Sequence, residues 1–302
     1  MVATNEEGPS SVETADEVEV VVALRSELGE GPVWDARSGR LVWVDTLGRW
    51  IHATDPRTGA TESIEVPLDV GAVAPRAAGG YVAALQDGFW IVGDGPARRI
   101  TTVPEARPVL RFNDGKCDPT GRFWAGTMAY DKEVGAASLY RLDAKGRATR
   151  VIDGATISNG LAWSEDARTM YYIDSPTQRV DAFTFNSATG EVADRRTVVR
   201  IPEELGTPDG MTVDAEGGLW VALWGGGAVH RYVDGRLDRE IRLPVTQPTS
   251  CAFGGADLDS LYITSAREGL SEAERRAQPL AGALFRVRPG VRGLPPHEYV
   301  EA

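Results

Sequence analysis

The sequence predicts an all-β protein, a six-bladed β-propeller with four-stranded antiparallel blades around a central channel. Two observations lead to this prediction. One turn-and-strand pattern recurs six times along the chain, and each recurrence contains short strands rich in aromatic and β-branched residues. Even spacing of short strands is typical of all-β folds, and a period of about 40 to 50 residues with about four strands per unit is typical of propellers.

Each repeat opens with a small residue that begins an apolar strand, and we call these residues the markers. The intervals between neighbouring markers are 40, 44, 45, 50 and 40 residues. The markers are Gly31, Gly71, Gly115, Gly160, Gly210 and Ser250. A second strand follows each marker after a turn, as in the segments RLVWVDT, TMYYIDS and GLWVALW. We therefore predict six blades of similar size.

The two ends of the chain and one insertion depart from this repeat. The acidic segment 1–17 is predicted to be a disordered tail, and residues 18–302 to form a single propeller domain. Segment 18–25, VEVVVALR, has the pattern of a strand, and we expect it to complete the last blade because an open ring would leave an unpaired edge. Segment 271–280 is predicted to be an inserted helix, with Ser271 as its N-cap and Arg275 and Arg276 on its solvated face.

The composition limits the possible functions. The 302 residues carry a formal charge of -12, which disfavours binding to nucleic acid or to an anionic membrane surface. The chain has no uncharged apolar stretch long enough to span a membrane and no basic secretory start, so we expect a cytoplasmic protein, either a monomer or a weak homo-oligomer. Cys117 and Cys251 are too few for a disulfide framework and are expected to be buried free thiols on opposite sides of the ring.

The residue before each marker is the most informative position of the repeat, because equivalent positions on the inner strands form a ring around the channel. Four of these positions hold a carboxylate or an amide: Glu30, Asp114, Asn159 and Asp209. Several acidic groups at one narrow mouth repel each other unless a cation neutralises them. The oxygen donors favour Ca²⁺, Mg²⁺ or Mn²⁺ and also allow Zn²⁺ or Fe²⁺. The sequence therefore predicts one divalent metal ion of undetermined identity.

Simpler explanations exist for parts of this pattern. Asn-Gly and Asp-Gly are common tight-turn dipeptides, and a glycine near a crowded axis can serve only to let backbones approach. Recurrence at one register favours the metal site for the set. Asp45 and Asp174 end second strands and are expected to accept hydrogen bonds from neighbouring backbone. The three histidines lie at outer-strand or terminal positions of the repeat, as His52, His230 and His297. These positions argue against a histidine-rich zinc site.

Six segments of the chain carry recognisable motifs in a fixed order. They are GEGPVWD, RFNDGKCDPTGRFWAGTM, ISNGLAWSEDARTMYYIDS, PDGMTVDAEGGLWVALW, PTSCAFGG and QPLAGALFRVRPGVRGLPP. Together they resemble the gluconolactonase, regucalcin and senescence-marker-protein family, a group of sugar lactonase-like proteins. The resemblance implies a six-bladed propeller with one divalent metal in the channel, and an activity that hydrolyses sugar lactones to aldonic acids.

The resemblance also implies roles for individual residues. The implied metal ligands are Glu30, Asn159 and Asp209. The implied substrate contacts are Arg111, Asn113 and Asp131. Asp114 belongs to the motif but is expected to lie behind the ligands. The segment 128–139 is shorter than in animal members, and Tyr130 stands where an acidic residue is frequent.

These residues predict a mechanism for a small-molecule lactone substrate. A bound cation would polarise the carbonyl and acidify water, and Asp209 is expected to act as general base. Arg111 and Asn113 are expected to hold substrate hydroxyls or the developing oxyanion. Two other functions fit the same ligands: a metal-dependent esterase, organophosphatase or aromatic lactonase, and a non-catalytic calcium-binding regulatory protein. A protein-interaction propeller would not explain carboxylates gathered at the inner strands.

Overall fold

Six four-stranded antiparallel sheets surround a central channel in the computed structural model, which describes residues 17–103 and 109–302. The first strands of neighbouring sheets contact each other all the way round, so the sheets form a closed ring. The predicted six-bladed β-propeller is therefore confirmed. Residues 1–16 of the predicted tail lie outside the described residues, and the assignment of residues 18–302 to one domain stays a prediction.

The strands of the described residues follow the predicted repeats. The first twelve are β1 Glu19–Val22, β2 Gly29–Asp35, β3 Arg40–Asp45, β4 Trp50–Thr54, β5 Thr61–Glu65, β6 Val70–Pro75, β7 Tyr81–Leu85, β8 Gly88–Val92, β9 Arg98–Thr102, β10 Leu110–Cys117, β11 Phe123–Ala129 and β12 Ala137–Leu142. The others are β13 Ala148–Ala155, β14 Ser158–Trp163, β15 Thr169–Asp174, β16 Arg179–Asn186, β17 Glu191–Arg200, β18 Thr207–Val213, β19 Leu219–Trp224, β20 Ala228–Val233, β21 Arg236–Arg242, β22 Pro248–Gly254, β23 Ser260–Ser265 and β24 Leu284–Val287. The helical segments are α1 Glu272–Ala277 and the 3-10 turns Ser175–Thr177 and Glu203–Leu205.

Five blades are built in chain order from the channel outward, and the sixth is not. The first five are β2–β5, β6–β9, β10–β13, β14–β17 and β18–β21. The sixth contains β22, β23 and β24, with β1 as its outermost strand. In this last pair Glu19 lies opposite Arg286, and their side chains form an ion pair. The expectation that segment 18–25 supplies the closing strand is confirmed.

The hydrophobic core of the described residues is divided into six clusters, one between each pair of neighbouring blades. Inner strands such as β2 and β22 are buried along their whole length, whereas outer strands such as β5 are mostly exposed. Large buried side chains come from the second strands, including Trp43, Trp124 and Trp220. Between the last blade and the first, Trp34 stacks on Tyr262 with ring centroids 6.2 Å apart. The ring is thus closed by packing as well as by strand pairing.

The marker glycines allow the inner strands to approach each other. A Cβ atom on Gly71 would lie 2.3 Å from the carbonyl carbon of Phe112 in the next blade. On Gly160 it would lie 2.8 Å from the carbonyl oxygen of Asp209. Neither position has room for a side chain, because backbone atoms cannot move aside. Close backbone approach is therefore one reason for the repeated glycine.

All six inner strands carry a β-bulge at the level of the markers, which the sequence pattern did not reveal. In the first blade the register against the second strand shifts between Glu30 and Val33, and in the fourth between Asn159 and Leu161. The other four inner strands shift at the equivalent place. A bulge breaks the regular alternation of side chains and redirects them. The residues before the markers are thus presented by an irregular, repeated piece of backbone.

Two aspartates fasten the segments that lead into inner strands. Asp45, at the end of β3, accepts hydrogen bonds from the backbone N–H groups of Glu27 and Leu28 at 2.9 and 3.0 Å. Asp174, at the end of β15, accepts from the two N–H groups just before β14. The expected bonding to neighbouring backbone is confirmed. These contacts fix where β2 and β14 begin.

We expect Asp45→Ala to lower the free energy of unfolding by about 2 to 3 kcal/mol, because it leaves buried N–H groups without an acceptor. Urea unfolding at neutral pH measures this difference. Asp257→Ala is the matched control, since Asp257 is exposed, and should change stability by less than about 0.5 kcal/mol. Equal effects of the two substitutions would show that the Asp45 contacts contribute no net stability.

The predicted insertion contains α1, which is shorter than expected. Ser271 is the N-cap and forms a capping box with Glu274, as its side chain accepts from the Glu274 backbone N–H. The helix ends at Ala277 because Gln278 precedes Pro279, and the residue before a proline is disfavoured in helical conformation. No helix in the described residues is long and apolar enough to cross a membrane.

Arg275 does not lie on a solvated face of α1, so that expectation is wrong. Its side chain is one-third exposed, binds the Glu27 carboxylate at 2.7 Å and donates to the Leu270 carbonyl at 3.0 Å. Arg276 is exposed as expected and pairs with Glu272 on the same helix. Arg275 therefore ties the insertion to the segment that precedes β2.

Candidate active site

One end of the channel opens into a cavity of about 400 Å³. Its lining comes from the beginnings of the inner strands and from the loops at that end. Five of the residues predicted for the site line it: Glu30, Arg111, Asn113, Asn159 and Asp209. A second cavity of about 200 Å³ is lined by residues beyond the markers, at the opposite ends of the inner strands. The predicted site therefore belongs to a single mouth of the ring.

Two buried carboxylates in this cavity repel each other. Glu30 and Asp209 are 3% and 6% exposed, and burial raises the pKa of both. The pKa of Glu30 is raised further by Asp209 and by Asp114, and that of Asp209 by Asp114. Arg111 opposes these shifts. The concentration of negative charge favours a cation at this position.

Asp114 belongs to the same acidic cluster but does not line the cavity. Its carboxylate accepts the backbone N–H of Gly115 at 2.7 Å. Burial raises its pKa, while the ammonium group of Lys116 lowers it. Lys116 donates to the carbonyl of Met211 at 2.8 Å. These contacts agree with a position behind the ligands, and its role stays a prediction.

Without a bound cation we expect the protein to lose stability as the pH rises. Burial raises the pKa of both carboxyl groups in the folded protein. Each group contributes its full stabilisation when the pH is below its ordinary pKa, 4.5 for Glu30 and 3.8 for Asp209. This stabilisation is lost as the pH rises through the raised pKa of the folded protein. The loss amounts to up to about 1.4 kcal/mol per pH unit for each group. Urea unfolding of chelator-treated protein between about pH 5 and about pH 8 measures it. Glu30→Gln should reduce the slope, and a slope unchanged by this substitution would contradict the assignment.

A chain of hydrogen bonds orients the polar side chains of the cavity. Arg111 Nη1 donates to Asn113 Oδ1 at 2.7 Å, and Asn113 Nδ2 donates to Asn159 Oδ1 at 2.8 Å. Asn159 Nδ2 donates to Ser175 Oγ at 2.8 Å, and Ser175 Oγ donates to the Pro208 carbonyl at 2.7 Å. Because a guanidinium can only donate, Arg111 sets the direction of the whole chain. Arg111 and Asn113 thus hold the Asn159 amide in one orientation.

The donor atoms fit a hard divalent cation. Glu30 and Asp209 offer carboxylate oxygens, and Asn159 Oδ1, which accepts one N–H, has a second lone pair. Across residues 17–103 and 109–302 no three His, Cys, Asp or Glu side chains are grouped closely enough to hold a metal. A metal here would therefore need the amide oxygen and water in addition to the two carboxylates.

Asp131, the remaining predicted substrate contact, does not line the cavity. It is exposed in the loop between β11 and β12 and accepts the backbone N–H of Glu133 at 3.2 Å. Its neighbours Tyr130 and Lys132 line the cavity instead. Tyr130 donates to a carboxylate oxygen of Asp69 at 2.6 Å, which fastens this loop to the second blade. The substrate role of Asp131 stays a prediction.

Comparison with known proteins agrees with this architecture. The family model described as "SMP-30/Gluconolactonase/LRE-like region" matches residues 28–267. The chain belongs to the SMP-30/gluconolactonase/LRE-like family. Regucalcin of Danio rerio is 44% identical over 289 residues, which cover 93% of this chain and 98% of that protein. YvrE of Bacillus subtilis, provisionally named a sugar lactone lactonase, is 41% identical over 277 residues, covering 90% of this chain and 94% of that one.

A solved structure of a relative has the same fold as this chain. The crystal structure of regucalcin from Agrobacterium tumefaciens, described as a calcium-binding protein, matches with a TM-score of 0.90 and 31% identity. The match covers 94% of this chain and 98% of that one. The resemblance seen in the sequence motifs is confirmed.

Some polar residues that line the cavity of this family member were not indicated by the sequence. They include Ser175, Gln178 and Glu268. Ser175 is the last residue of the motif ISNGLAWSEDARTMYYIDS, directly after Asp174. Its place in that motif could have indicated that it lies near the inner strand. Glu268 comes from the connection between β23 and β24, which in this blade is lengthened by the insertion that contains α1. No periodicity of the sequence therefore indicates the position of Glu268.

The cysteines of this family member are buried free thiols, as expected. Cys117 lies in the third blade and Cys251 in the sixth, across the ring from each other. Burial raises the pKa of Cys251 to about 12 and also raises that of Cys117. Both therefore stay protonated and unreactive at neutral pH.

Proposed function

We propose that this protein is a metal-dependent hydrolase that opens sugar lactones to aldonic acids. The observation that carries the proposal is the position of five polar side chains on one cavity at the channel mouth: Glu30, Arg111, Asn113, Asn159 and Asp209. The name of the Bacillus subtilis relative supports the lactone as substrate class. The proposed partner is thus a small molecule, and the cytoplasmic location and the oligomeric state stay predictions.

Glu30, Asn159 and Asp209 would hold one divalent cation, with Ca²⁺, Zn²⁺, Mg²⁺, Mn²⁺ and Fe²⁺ as the candidates. When bound, such an ion supplies Lewis acidity to the lactone carbonyl and lowers the pKa of water. The description of the Agrobacterium tumefaciens relative as calcium-binding supports a divalent ion in this family. Three protein ligands are fewer than a hard divalent cation takes, so positions would remain for water and for the lactone oxygens.

The side chains of the cavity carry out the remaining steps. Asp209 takes a proton from the attacking water while the new C–O bond forms at the carbonyl carbon. The ring C–O bond then breaks, and the same proton passes to the leaving ring oxygen, so that lactone and water give one hydroxy acid. Arg111 donates N–H groups to substrate hydroxyls or to the developing oxyanion. Asn113 orients Arg111 and Asn159, because its two amide N–H groups already donate to the Ser158 carbonyl and to Asn159 Oδ1.

A pH-indicator assay over a panel of aldonolactones, combined with elemental analysis of the purified protein, tests this proposal. We expect saturable acid release and bound divalent metal. Acid release without any metal would remove the metal mechanism. Metal without turnover of any lactone would remove the hydrolase.

Two other candidate functions each have one supporting observation. The calcium-binding description of the Agrobacterium tumefaciens structure favours a non-catalytic calcium-binding regulatory protein. An apolar wall in the cavity, formed by Leu47, Met128 and Trp224, favours a metal-dependent esterase, organophosphatase or aromatic lactonase. Adding an aryl phosphotriester and an aromatic lactone to the panel separates these candidates from a sugar lactonase.

A further inference from the structure

Glu268 lines the cavity, and its carboxylate stabilises no other part of the described structure. It lines the same cavity as Arg111 and Asp209, and its charge interacts with the charges of both. Within residues 17–103 and 109–302 the Glu268 carboxylate has no hydrogen bond or ion pair. Arg111, Asn113, Asn159 and Ser175 hydrogen-bond to one another in this cavity, whereas the Glu268 carboxylate takes no part in that chain.

The backbone around Glu268 is nevertheless held in place. Its N–H donates to the Glu27 carbonyl at 2.9 Å, and Gln247 Nε2 donates to its carbonyl at 3.1 Å. Arg275 of α1 binds the Glu27 carboxylate and the Leu270 carbonyl, which secures the same loop. The insertion therefore fixes the Glu268 backbone beside the cavity while its carboxylate remains available. Such preorganisation is typical of groups that bind a ligand.

The chemistry of this group limits what it can bind. An ionised carboxylate offers only acceptor sites, so a ligand must present O–H or N–H groups to it. The nearby apolar side chains of Leu47, Met128 and Trp224 have no hydroxyl or carbonyl to offer a substrate hydroxyl. Lys132, which reaches the cavity from the third blade, can only donate. Two acceptors therefore lie outside the proposed metal ligands and the Arg111–Asn113 pair: the neutral Gln178 Oε1, a buried atom without a hydrogen-bond partner among the described residues, and the Glu268 carboxylate, which carries the charge.

We propose that Glu268 determines specificity by accepting hydrogen bonds from hydroxyl groups of the lactone. It thereby favours hydroxylated lactones over lactones with an unsubstituted ring. The inference rests on the proposed lactonase function and names a residue that selects the substrate within it. A site built to bond a hydroxyl rejects the analogue that lacks it, because an acceptor that the bound ligand shields from water is then left unpaired.

The test compares kcat/KM for D-glucono-δ-lactone with kcat/KM for δ-valerolactone, which has the same ring size without hydroxyl groups. We expect Glu268→Ala to lower this ratio by on the order of 10- to 100-fold, through loss on the hydroxylated substrate. Glu268→Gln, whose amide oxygen still accepts, should retain part of the preference. Glu272→Ala is the matched control, because the Glu272 side chain is 88% exposed and outside the cavity, and it should leave the ratio unchanged.

A wild-type ratio in a folded Glu268→Ala variant would overturn the inference, and so would a wild-type enzyme that hydrolyses both lactones equally well. The thermal unfolding midpoint should stay unchanged because the carboxylate holds no part of the loop. If Glu268→Ala does lower the midpoint, the isosteric variant Glu268→Gln is used for the test instead. Its ratio of the two kcat/KM values must then fall measurably below the wild-type ratio. If the wild type hydrolyses neither lactone, the proposed function itself fails and this inference with it. Hydrolysis of both at an unaltered ratio refutes only the role of Glu268.

Discussion

Replacing Asp209 by alanine abolishes lactone hydrolysis, with an expected loss in kcat on the order of 1,000-fold or more, while the propeller stays folded. The loss is large because the proposal gives Asp209 two roles, as a cation ligand and as the general base. The fold is expected to survive because the substitution removes a carboxylate whose burial is costly without a cation. Initial rates in the indicator assay and the thermal unfolding midpoint measure the two effects separately.

Asp257→Ala serves as control for this variant as well, since it removes an exposed carboxylate that does not line the cavity. It should keep the wild-type rate. Wild-type turnover in Asp209→Ala would mean that Asp209 is neither ligand nor base. A variant that has lost both activity and fold would instead assign Asp209 a structural role.

Chelation of divalent cations is expected to remove the same activity reversibly. It also leaves the acidic cluster of Glu30, Asp114 and Asp209 without a counter-ion, so the thermal unfolding midpoint at neutral pH should fall. Adding back Ca²⁺, Mg²⁺, Mn²⁺, Zn²⁺ or Fe²⁺ singly should restore the midpoint and the rate, and their order identifies the preferred ion. Activity and midpoint are measured on the same samples before chelation, after it and after add-back.

The location of the ion is tested by a pair of glutamate variants. Glu30→Gln should abolish the stabilisation by added metal, because it replaces a charged oxygen donor in the cluster. Glu272→Gln changes an exposed glutamate on α1 and should preserve that stabilisation. Activity that persists through chelation in metal-free protein would exclude the metal mechanism. Stabilisation retained by Glu30→Gln would place the ion elsewhere.

The fold was predictable because five of the six repeats contain a complete blade, and the sixth lacks only its outermost strand. The markers fix the inner strands, and a ring converts equal sequence register into equal height along the channel. Glu30, Asn159 and Asp209 are far apart in the chain but hold the same register, so the sequence could predict that they line one mouth. The closing strand followed from the same argument, since segment 18–25 had no blade of its own.

Features outside the repeat could not be predicted in this way. Asp131, the predicted substrate contact, is one position away from Tyr130 and from Lys132, which line the cavity instead. The left-handed backbone of Lys132, with φ of 59°, turns this loop, and no periodicity encodes that turn. Glu268 lies in an insertion that occurs once, so no second copy indicates its place. Arg275 looked like a surface residue because its partner, Glu27, is 248 positions away in the chain. Contacts between unrelated loops depend on the finished ring.

The pairing of the first strand with the last also sets an order for folding during synthesis. Glu19 and Arg286 are 267 positions apart, so the sixth blade cannot be finished until β24 has left the ribosome. The other blades consist of consecutive hairpins and can assemble locally as they emerge. Joining the ends instead requires closure of a very long loop, whose entropic cost grows only with the logarithm of its length. In the nascent chain β1 therefore waits for its partner strand until β24 has emerged.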